Sequence, residues 1–412
     1  MDKSLQHNGN VTASPPPSDY QNPLQETPFW PSFAPLCQAK DFLPWNGFRT
    51  LNSVDSTEQE YFAIRNSASL YDLSPMAKYE IKGPDALAFC ERLTTRNVGK
   101  MGVGRVSYTL WCDDDGKLID DGTLFRLSEN HFRMCCQERQ YDFLLRSAIG
   151  FDVEISDVTD SLIGLTLQGP LSAYLLHLLG CDGIENLSPF GYKEFNLKNH
   201  KIHISRTGYT GDLGYELWFP PALAEPIWNG LMEVGAPRGL RLIGNKALNM
   251  ARIEAGFLQP GRDFISSESV IRLGHARSPF ELGLDWAVDL KKSYFTGKRA
   301  LLAEQEQKTS RCLLVGLEIE GNKPGHDALI YADQDCRTEI GAVTGALWSP
   351  TLKRNIALAL INAPYCFTHT EFWAEIYRNR ELIWQRRVLR CWTVERPFYA
   401  PQRRRQTPAP LR

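Results

Sequence analysis

The sequence changes character near Arg311, and this change constrains the fold more than any other feature. After it, short runs rich in β-branched and aromatic residues follow one another between turn residues. These runs are CLLVGLEI, EIGAVTGALW, NIALALI, EFWAEIYR and RVLRCWTV. Before it, strand-like and helix-like segments alternate. We therefore predict an α+β chain in which residues 306–400 form a separate, β-rich C-terminal domain.

The two ends of the chain differ in composition from the rest. Residues 1–28 are rich in Pro, Ser, Asn and Gln and contain few large apolar side chains, which predicts a flexible N-terminal tail. Residues 401–412 form a second, basic tail, and a solvated chain end is the favoured interpretation of Arg403–Arg405. Residues 29–305 remain as the main α+β core.

Charge and motifs exclude several classes of function. The 412 residues carry 46 basic and 48 acidic side chains, so a nucleic-acid or membrane partner is not expected. The N-terminus lacks the apolar segment of a signal peptide, and the first arginine is Arg49, so we expect a cytoplasmic protein. There is no C-x-x-C, H-E-x-x-H, Walker A or G-x-G-x-x-G motif, so we expect no metal and no Rossmann-type cofactor.

One carboxylate lies on an apolar strand face. Val106–Trp111 and Leu118–Leu127 are predicted as two strands joined by the turn CDDDGK. Because side chains alternate along a strand, Asp121 shares its face with Ile119 and Phe125. An unpaired carboxylate there is costly. Either Asp121 caps a turn or pairs with a buried arginine, or it lines a pocket and meets a cationic or proton-bearing ligand.

A second carboxylate follows a glycine-rich loop. Gly208, Gly211 and Gly214 separate two predicted strands in SRTGYTGDLGYELWF, and Glu216 shares a strand face with Trp218. Glu216 is either a simple edge residue or the acceptor of paired hydrogen bonds from a flat heterocycle. In the second case, the glycines would let the loop backbone approach that ligand closely.

A third cluster lies in GNKALNMARIEAG, where Asn245–Ala255 is predicted as a helix and Gly256 as its C-cap. Arg252 and Glu254 fall inside this helix. An internal ion pair or helix packing explains these two side chains as well as ligand contact does.

Seven segments of the sequence resemble the folate-dependent aminomethyltransferase family, which includes the glycine-cleavage T-protein and related tetrahydrofolate-dependent demethylases. The first is RTGYTGDLGYEL, which is similar to the signature loop of that family. The others follow the order of the family: LYDLSPMAKYEIKGPDA, DDDGKLIDDGT, LTLQGPLSA, MARIEAGFLQPGRDF, SPFELGLDWAVDLKKSYFTGKRAL and AVTGALWSPTLKRNIALALI. The resemblance covers roughly residues 40–400.

The resemblance implies a three-domain cloverleaf with tetrahydrofolate in a central channel. Residues 29–305 would form two interleaved α+β domains, and the C-terminal domain would be a small β-barrel or jelly-roll-like fold. Asp121 matches the essential aspartate of the family, which would stabilise positive charge or direct a proton at the folate nitrogen. The implied folate-binding residues are Glu216, Tyr209, Met76, Trp286, Tyr108 and Arg252.

Two departures from the family bear on the substrate. Leu248 stands where the glycine-cleavage enzymes have an arginine that contacts folate, and Gln402 and Arg403 follow RPFYAP where those enzymes have a tyrosine. These departures favour the transfer of a methyl group from a small methylated substrate to tetrahydrofolate. Aminomethyl transfer from a lipoyl carrier remains the alternative, and a flavoprotein partner is a further possibility.

A non-catalytic folate-binding protein is the second alternative, although the K-G-C-Y-x-G-Q-E motif of such relatives is absent. The resemblance also offers an alternative for Arg403–Arg405, which is contact with a polyglutamate tail of folate.

Overall fold

The computed structural model of the protein describes residues 23–367 and 370–407. Within these residues, the chain forms eight α-helices and nineteen β-strands. The helices are α1 Trp30–Phe33, α2 Thr57–Asn66, α3 Ala86–Leu93, α4 Tyr141–Ser147, α5 Ser172–Leu178, α6 Ala224–Gly235, α7 Asn245–Glu254 and α8 Lys298–Gln307.

The strands alternate with the helices as far as α8 and then follow one another, in agreement with the change of pattern near Arg311. Before α8 they are β1 Asp41–Trp45, β2 Phe48–Ser53, β3 Ala68–Asp72, β4 Ala77–Lys82, β5 Arg105–Cys112, β6 Leu118–Ser128, β7 His131–Cys136, β8 Glu154–Asp157, β9 Ile163–Gln168, β10 Tyr192–Leu197, β11 His200–Ser205, β12 Gly214–Phe219 and β13 Leu240–Leu242. After α8 they are β14 Cys312–Ile319, β15 Leu329–Tyr331, β16 Glu339–Ser349, β17 Arg354–Asn362, β18 Glu371–Arg380 and β19 Ile383–Val394.

The first large sheet has six strands in the order β10-β11-β12-β9-β3-β13. Strand β13 runs parallel to β3, and the other neighbours are antiparallel. Strand β12 lies between β11 and β9, and every one of its residues is buried. The aromatic run GYELWF is therefore an inner strand with both faces covered, which explains why its side chains do not alternate between apolar and polar.

The second large sheet has five antiparallel strands in the order β5-β6-β7-β4-β8. Its β5–β6 hairpin confirms the strands and the turn expected from the sequence. Helix α3 contributes Phe89 and Leu93, and α4 contributes Leu144, to a core that also contains Trp111 and Phe132 of the sheet. This core holds one face of the hairpin rigid.

The C-terminal strands form a closed barrel in the order β14-β17-β16-β15-β18-β19. Its interior is filled by small and branched side chains, among them Leu317, Ile330, Ala359 and Ile361. The prediction of a mixed α+β chain that ends in a small β-barrel is thus confirmed. The first barrel strand begins at Cys312, a few residues after α8 ends at Gln307.

Apolar clusters join the three sheets to one another. The rings of Phe125 in β6 and Trp218 in β12 meet edge to face at 5.8 Å, which connects the two large sheets. Leu110 of β5 shares a cluster with Leu314 and Leu358 of the barrel. Strands β6 and β12, which the first of these contacts joins, also contribute residues to the candidate site.

Parts of both predicted tails are packed against the core. In the C-terminal tail, Arg403 pairs with the buried Asp212, so the solvated end expected for Arg403–Arg405 is wrong for this residue. Residues 1–22 and 408–412 lie outside the described residues. The backbone N–H of Gln25 donates to Gly47 at 2.9 Å, and Thr27 is buried, so the flexible tail expected for residues 1–28 does not extend over this part. Within the described part of the chain, no helix has the length and apolar character needed to cross a membrane.

Candidate functional site

A cavity of about 840 Å³ opens between the two large sheets and the segment that follows the barrel. Its walls come from β6, β12, the glycine-rich loop, α7 and the residues after β19. The structure brings all seven sequence-predicted site residues to this cavity: Asp121, Glu216, Tyr209, Met76, Trp286, Tyr108 and Arg252. The volume falls within the range typical of pockets for small molecules and cofactors.

Glu216 presents one carboxylate oxygen that has no partner in the part of the chain that the structure describes. The hydroxyl of Thr207 donates to Glu216 Oε2 at 2.5 Å, and that of Ser205 donates to the same oxygen at 3.5 Å. Oε1 accepts no hydrogen bond from the described residues. Burial raises the pKa of Glu216 to about 7, against the lowering effect of the two hydroxyls. The carboxylate is thus able to accept ligand N–H groups, and its charge near neutral pH depends on whether such donors are present.

Gln168 explains two of the three glycines in the loop. Its side-chain amide donates to Thr166 Oγ1 at 2.7 Å, and its oxygen accepts from Thr210 Oγ1 at 2.8 Å. A Cβ atom at Gly208 or Gly214 would overlap this amide. The glycines at these two positions therefore make room for Gln168, and close approach of a ligand to Gly208, which lines the cavity, stays a prediction. We missed Gln168, although its place in LTLQGP beside a tight turn was a usable signal.

Asp121 lies on β6 with a tyrosine as its partner. The hydroxyl of Tyr108 donates to Asp121 Oδ2 at 2.6 Å, and Oδ1 accepts no hydrogen bond from the described residues. No arginine of the described chain forms an ion pair with Asp121, so the ion-pair alternative is not what the structure contains. Burial raises the pKa of Asp121 to about 6, the Tyr108 hydrogen bond opposes this effect, and the negative charge of Asp263 adds to it.

Asp120, the preceding residue of β6, is a second buried acid next to Asp121 in the chain. Asp120 is 1% exposed, accepts the backbone N–H of Asp121 at 2.8 Å, and also accepts from the Gln140 amide at 3.2 Å. Burial, followed by the charge of Asp121, raises the pKa of Asp120 well above its ordinary value. Of these two neighbouring acids, Asp121 is the one that lines the cavity.

Flat side chains form much of the cavity wall. Tyr108 and Trp286 stack at 5.6 Å between ring centroids, and Tyr209 stacks on Phe257 at 5.9 Å. The Tyr209 hydroxyl donates to the carbonyl of Leu258. Stacking on Phe257 and this hydrogen bond together hold the Tyr209 ring in place. Such surfaces suit a planar aromatic ligand.

Met76 enters the cavity from the loop between β3 and β4. The buried Lys78 ammonium donates to the carbonyls of Ser74 at 2.9 Å and Met76 at 2.6 Å, which holds this loop in place. Lys78 is a further residue that sequence reasoning missed, because its partners are backbone atoms that no side-chain pattern reveals. Burial lowers the pKa of Lys78 to about 8, against the raising effect of nearby thiol and carboxyl groups.

Arg252 pairs with a carboxylate of the protein. Its Nη1 donates to Asp263 and to the carbonyl of Phe257, and its Nε donates to Asn249 Oδ1 at 2.8 Å. The structure therefore contains the internal ion pair that the sequence left open as an alternative to ligand contact. Arg252 fixes the loop that carries Phe257, and direct contact of its guanidinium with a ligand stays a prediction.

The side chains of the cavity suit hydrogen bonding and proton transfer with an aromatic organic ligand. Within residues 23–367 and 370–407, no cluster of His, Cys, Asp or Glu has the geometry of a metal site. The functional groups are two carboxylates of raised pKa, each with one oxygen that has no partner in the described chain. A planar ligand with N–H donors fits the Glu216 side, and a nitrogen that loses a proton or gains positive charge fits the Asp121 side.

Comparison with known proteins gives a consistent result. Residues 28–292 match the sequence model described as the GCVT N-terminal domain, and residues 313–399 match that described as the glycine cleavage T-protein C-terminal barrel domain. An aminomethyltransferase of Caldanaerobacter subterraneus subsp. tengcongensis is 34% identical over 91% of this chain and 96% of its own. An aminomethyltransferase of Lysinibacillus sphaericus is 32% identical over 92% of this chain and 98% of its own.

A third relative has a different name. The trimethylamine-oxide aldolase of Ruegeria pomeroyi is 33% identical over 86% of this chain, which spans 45% of that longer protein. The crystal structure of the glycine cleavage system aminomethyltransferase T from Bartonella henselae superposes with a TM-score of 0.79 over 92% of this chain and 98% of its own, at 24% identity. That likeness identifies the fold, and the family models together cover both the mixed core and the barrel. The resemblance inferred from the motifs is thus confirmed, and the chain belongs to the glycine cleavage T-protein family.

Proposed function

We propose that the protein is an enzyme that transfers a one-carbon unit to tetrahydrofolate, and that it takes this unit as a methyl group from a small methylated substrate. The observation that carries the proposal is that Asp121 and Glu216 line one cavity whose walls are flat aromatic side chains. Glu216 is buried and Asp121 is half-buried, and each keeps one oxygen without a partner in the described chain. Membership of the family supports the same activity.

Glu216 would recognise the pterin ring. The exocyclic amino group and the adjacent ring N–H of a pterin form a flat pair of donors, which a carboxylate accepts well. Thr207 and Ser205 hold Oε2. With the orientation of the carboxylate fixed in this way, Oε1 is available to the ligand. The fit of tetrahydrofolate to the cavity therefore rests on an acceptor that has no partner among the described residues and lies beside aromatic surfaces.

Asp121 would act where the one-carbon unit is transferred. Tetrahydrofolate, when bound, supplies the ring nitrogen that takes up this unit. The carboxylate of Asp121 accepts the proton released at that step, or stabilises the positive charge that develops before the proton leaves. Tyr108 fixes the side chain through its hydrogen bond at 2.6 Å. The pKa of about 6 keeps Asp121 mainly ionised at neutral pH, and so competent as a base.

Two observations bear on the donor of the one-carbon unit. Leu248 is buried and lines the cavity at the position where the sequence departs from the glycine-cleavage enzymes. Together with the relative named for trimethylamine oxide, this apolar side chain supports a small methylated donor. The relatives named aminomethyltransferase, which this chain matches over almost their full length, support the second candidate, aminomethyl transfer from a lipoyl carrier.

Mass spectrometry of the folate product tests the proposal. The purified protein would be incubated with tetrahydrofolate and with N-methyl amines, sulfonium compounds or methoxy-aromatics, and in parallel with an aminomethylated lipoyl carrier. A methyl-folate product with a small donor supports the first candidate, and a methylene product that requires the carrier supports the second. If no donor yields a one-carbon folate although tetrahydrofolate binds, the protein is a non-catalytic folate-binding protein and the proposal fails.

A further inference from the structure

The hairpin formed by β18 and β19 extends beyond the barrel to which it belongs. Strand β15 pairs with β18 over Trp373–Glu375, and β14 pairs with β19 over Cys391–Val394. Between these stretches, from residue 376 to residue 389, no further strand lies against either outer edge of the hairpin within the described part of the chain. Both edges of this ribbon therefore present backbone N–H and C=O groups that have no strand partner.

One face of the projecting part is aromatic and exposed. The side chain of Tyr377 is 57% exposed, and that of Trp384 is 66% exposed. Strand pairing places Tyr377 opposite Arg386 and Asn379 opposite Trp384, so the two aromatic side chains are diagonal neighbours on one face. Tryptophan, tyrosine and arginine are the side chains that most often dominate the binding energy of protein interfaces.

Glu375 holds two of these side chains in place at the base of the projecting part. It accepts the hydroxyl of Tyr377 at 2.9 Å and the Nε of Arg386. The hydroxyl of Tyr331 donates to its other oxygen at 2.9 Å. Because these side chains are already ordered, a partner that binds them loses less conformational entropy.

The tip of the hairpin displays apolar side chains where the fold does not favour them. The two turn residues, Glu381 and Leu382, have positive φ angles of 54° and 66°, which two-residue turns usually assign to asparagine and glycine. Leu382 is also 93% exposed, and Ile383 beside it is 64% exposed. Local rules broken in this way, without a gain in packing, are typical of functional surfaces.

The projecting part is strongly basic, in contrast to the chain as a whole. Residues 376–390 contain five arginines and one glutamate, whereas the net charge of the chain is -2. Arg378 and Arg387 are exposed, and no carboxylate of the described residues forms an ion pair with either. The charge of this surface is therefore complementary to an acidic partner.

The basic edge selects among the molecules that could bind it. Two copies of this chain paired along β19 would place Arg386 and Arg387 of one copy beside the same arginines of the other, and like charges on adjacent strands are destabilising. A nucleic acid would meet the arginines but has no peptide groups to pair with the free strand edge. An extended acidic polypeptide meets both requirements.

We propose that the β18–β19 hairpin is a docking surface for an extended, acidic segment of another protein, which adds as a strand to the outer edge of β19 between Ile383 and Leu389. Side chains alternate along the strand, so Arg386 and Arg387 face opposite sides and receive aspartate or glutamate side chains from both faces of the added segment. Apolar side chains of the segment lie against Trp384 on one face and Ile383 on the other. The inference goes beyond the proposed function and does not depend on it.

Fluorescence anisotropy with labelled synthetic peptides tests the docking surface. Two peptides of about ten residues, the length of a long strand, consist of glutamates that alternate with valine or phenylalanine. They differ in whether glutamate occupies the odd or the even positions, so both possible registers are sampled. Two further peptides repeat the tighter binder with the backbone nitrogens methylated at the odd or at the even positions. Methylation removes the N–H donors along one edge of the peptide and leaves its charge unchanged.

The peptides would be titrated into the wild-type protein, the double variant Trp384→Ala/Arg387→Glu and the matched control Arg299→Glu. Arg299 is an exposed arginine of α8, outside the hairpin. Thermal unfolding reports whether each variant keeps the stability of the wild type. The methylated peptides test the wild-type protein alone, so the experiment does not depend on the folding of a variant.

We expect at least one peptide to bind the wild-type protein, and the double variant to lose roughly 10-fold or more in affinity for it. Arg299→Glu should change this affinity by no more than about 2-fold, because an exposed charge outside the interface is screened by salt. Methylation along the edge that pairs with β19 should abolish binding, whereas methylation along the opposite edge should preserve it.

Several results would overturn the proposal. Neither peptide binds, or the double variant and Arg299→Glu lose affinity equally, which would reflect general charge. Both methylated peptides bind as well as their parent, which would exclude strand addition. A labelled oligothymidylate binds more tightly than the peptides and is lost in the double variant, which would assign the surface to nucleic acid. Sedimentation velocity shows a dimer that the double variant abolishes, which would assign the surface to a second copy of this chain.

Discussion

Replacement of Glu216 by glutamine should make the ligand-free protein more stable at alkaline pH and at the same time weaken ligand binding. The folded protein holds the proton of Glu216 more tightly than the unfolded chain does, because burial raises its pKa from the ordinary 4.5 to about 7. Wild-type stability therefore falls as the pH rises from 4.5 to 7. Glutamine keeps the shape and the contact with Thr207 but has no charge to bury.

The size of the effect follows from the pKa difference. At 1.36 kcal/mol per pKa unit, the difference between about 7 and 4.5 corresponds to about 3 kcal/mol. We expect Glu216→Gln to raise the free energy of unfolding by about this amount at pH 8, and to change it little at pH 4.5, where Glu216 is largely neutral in the folded protein. Denaturant unfolding at the two pH values measures it.

Ligand binding supplies the second half of the same prediction. A pterin that donates to the carboxylate favours its ionised form, so binding near pH 7 should release a proton from the wild-type protein. Calorimetry in two buffers of different ionisation enthalpy measures this release, which Glu216→Gln should abolish. The affinity of the variant for tetrahydrofolate should fall roughly 10-fold to 100-fold, the range for a hydrogen bond to a charged group.

A surface substitution provides the control. Glu194→Gln removes an exposed carboxylate from β10, a strand of the same sheet, and we expect it to change the stability by no more than about 0.5 kcal/mol at either pH. The reasoning fails if Glu216→Gln gives no gain in stability at pH 8, or the same gain at pH 4.5 and pH 8. It also fails if proton release on ligand binding persists in the variant.

Three further predictions concern other parts of the site. Asp121→Asn should lower kcat by about 100-fold or more with little change in tetrahydrofolate affinity. The wild-type kcat should rise between pH 5 and pH 7, because Asp121, with a pKa of about 6, ionises over this range. Turnover of Asp121→Asn at the wild-type rate would contradict the proposed role of Asp121. Gly208→Ala should destabilise the fold by about 1–3 kcal/mol in urea unfolding, because the new methyl group meets the side chain of Gln168. Adding Gln168→Ala to the same chain should recover part of this loss. If the double variant is no more stable than Gly208→Ala, Gln168 is not what the methyl group meets. Arg403→Ala should lower the free energy of unfolding by about 1–3 kcal/mol, because it leaves Asp212 with Arg65 as its remaining charged partner in the described chain. Arg405→Ala should leave the free energy of unfolding unchanged. Equal effects of the two substitutions would contradict the role of the Arg403–Asp212 ion pair in holding the chain end against the core.

The parts of the structure that the sequence predicts are those set by local pattern. The alternation around Asp121 and the turn CDDDGK predict the β5–β6 hairpin, since both are properties of a short segment. The helix expected over 245–255 is α7, Asn245–Glu254, and Gly256 follows it with the positive φ of 69° that a C-cap glycine takes. The shared cavity of Asp121 and Glu216 came from family resemblance, because no local pattern relates strands of different sheets.

The parts that the sequence does not predict depend on contacts between distant segments. Gln168 occupies the space inside the glycine-rich loop, and Lys78 binds backbone carbonyls that have no signature in the sequence. Arg403 looks solvated within a basic cluster, but it pairs with Asp212, which is buried within the fold. In each case the local sequence fits an ordinary packing or surface position, and only the tertiary structure shows which partner the side chain has.

The most direct test is a crystal structure of the protein with tetrahydrofolate bound. We expect the pterin amino group and ring N–H to lie within hydrogen-bond distance of Glu216, with the nitrogen that accepts the one-carbon unit on the side of the cavity that Asp121 occupies. A ligand bound outside this cavity, or one whose pterin ring leaves both carboxylates in contact with water alone, would contradict the proposed function.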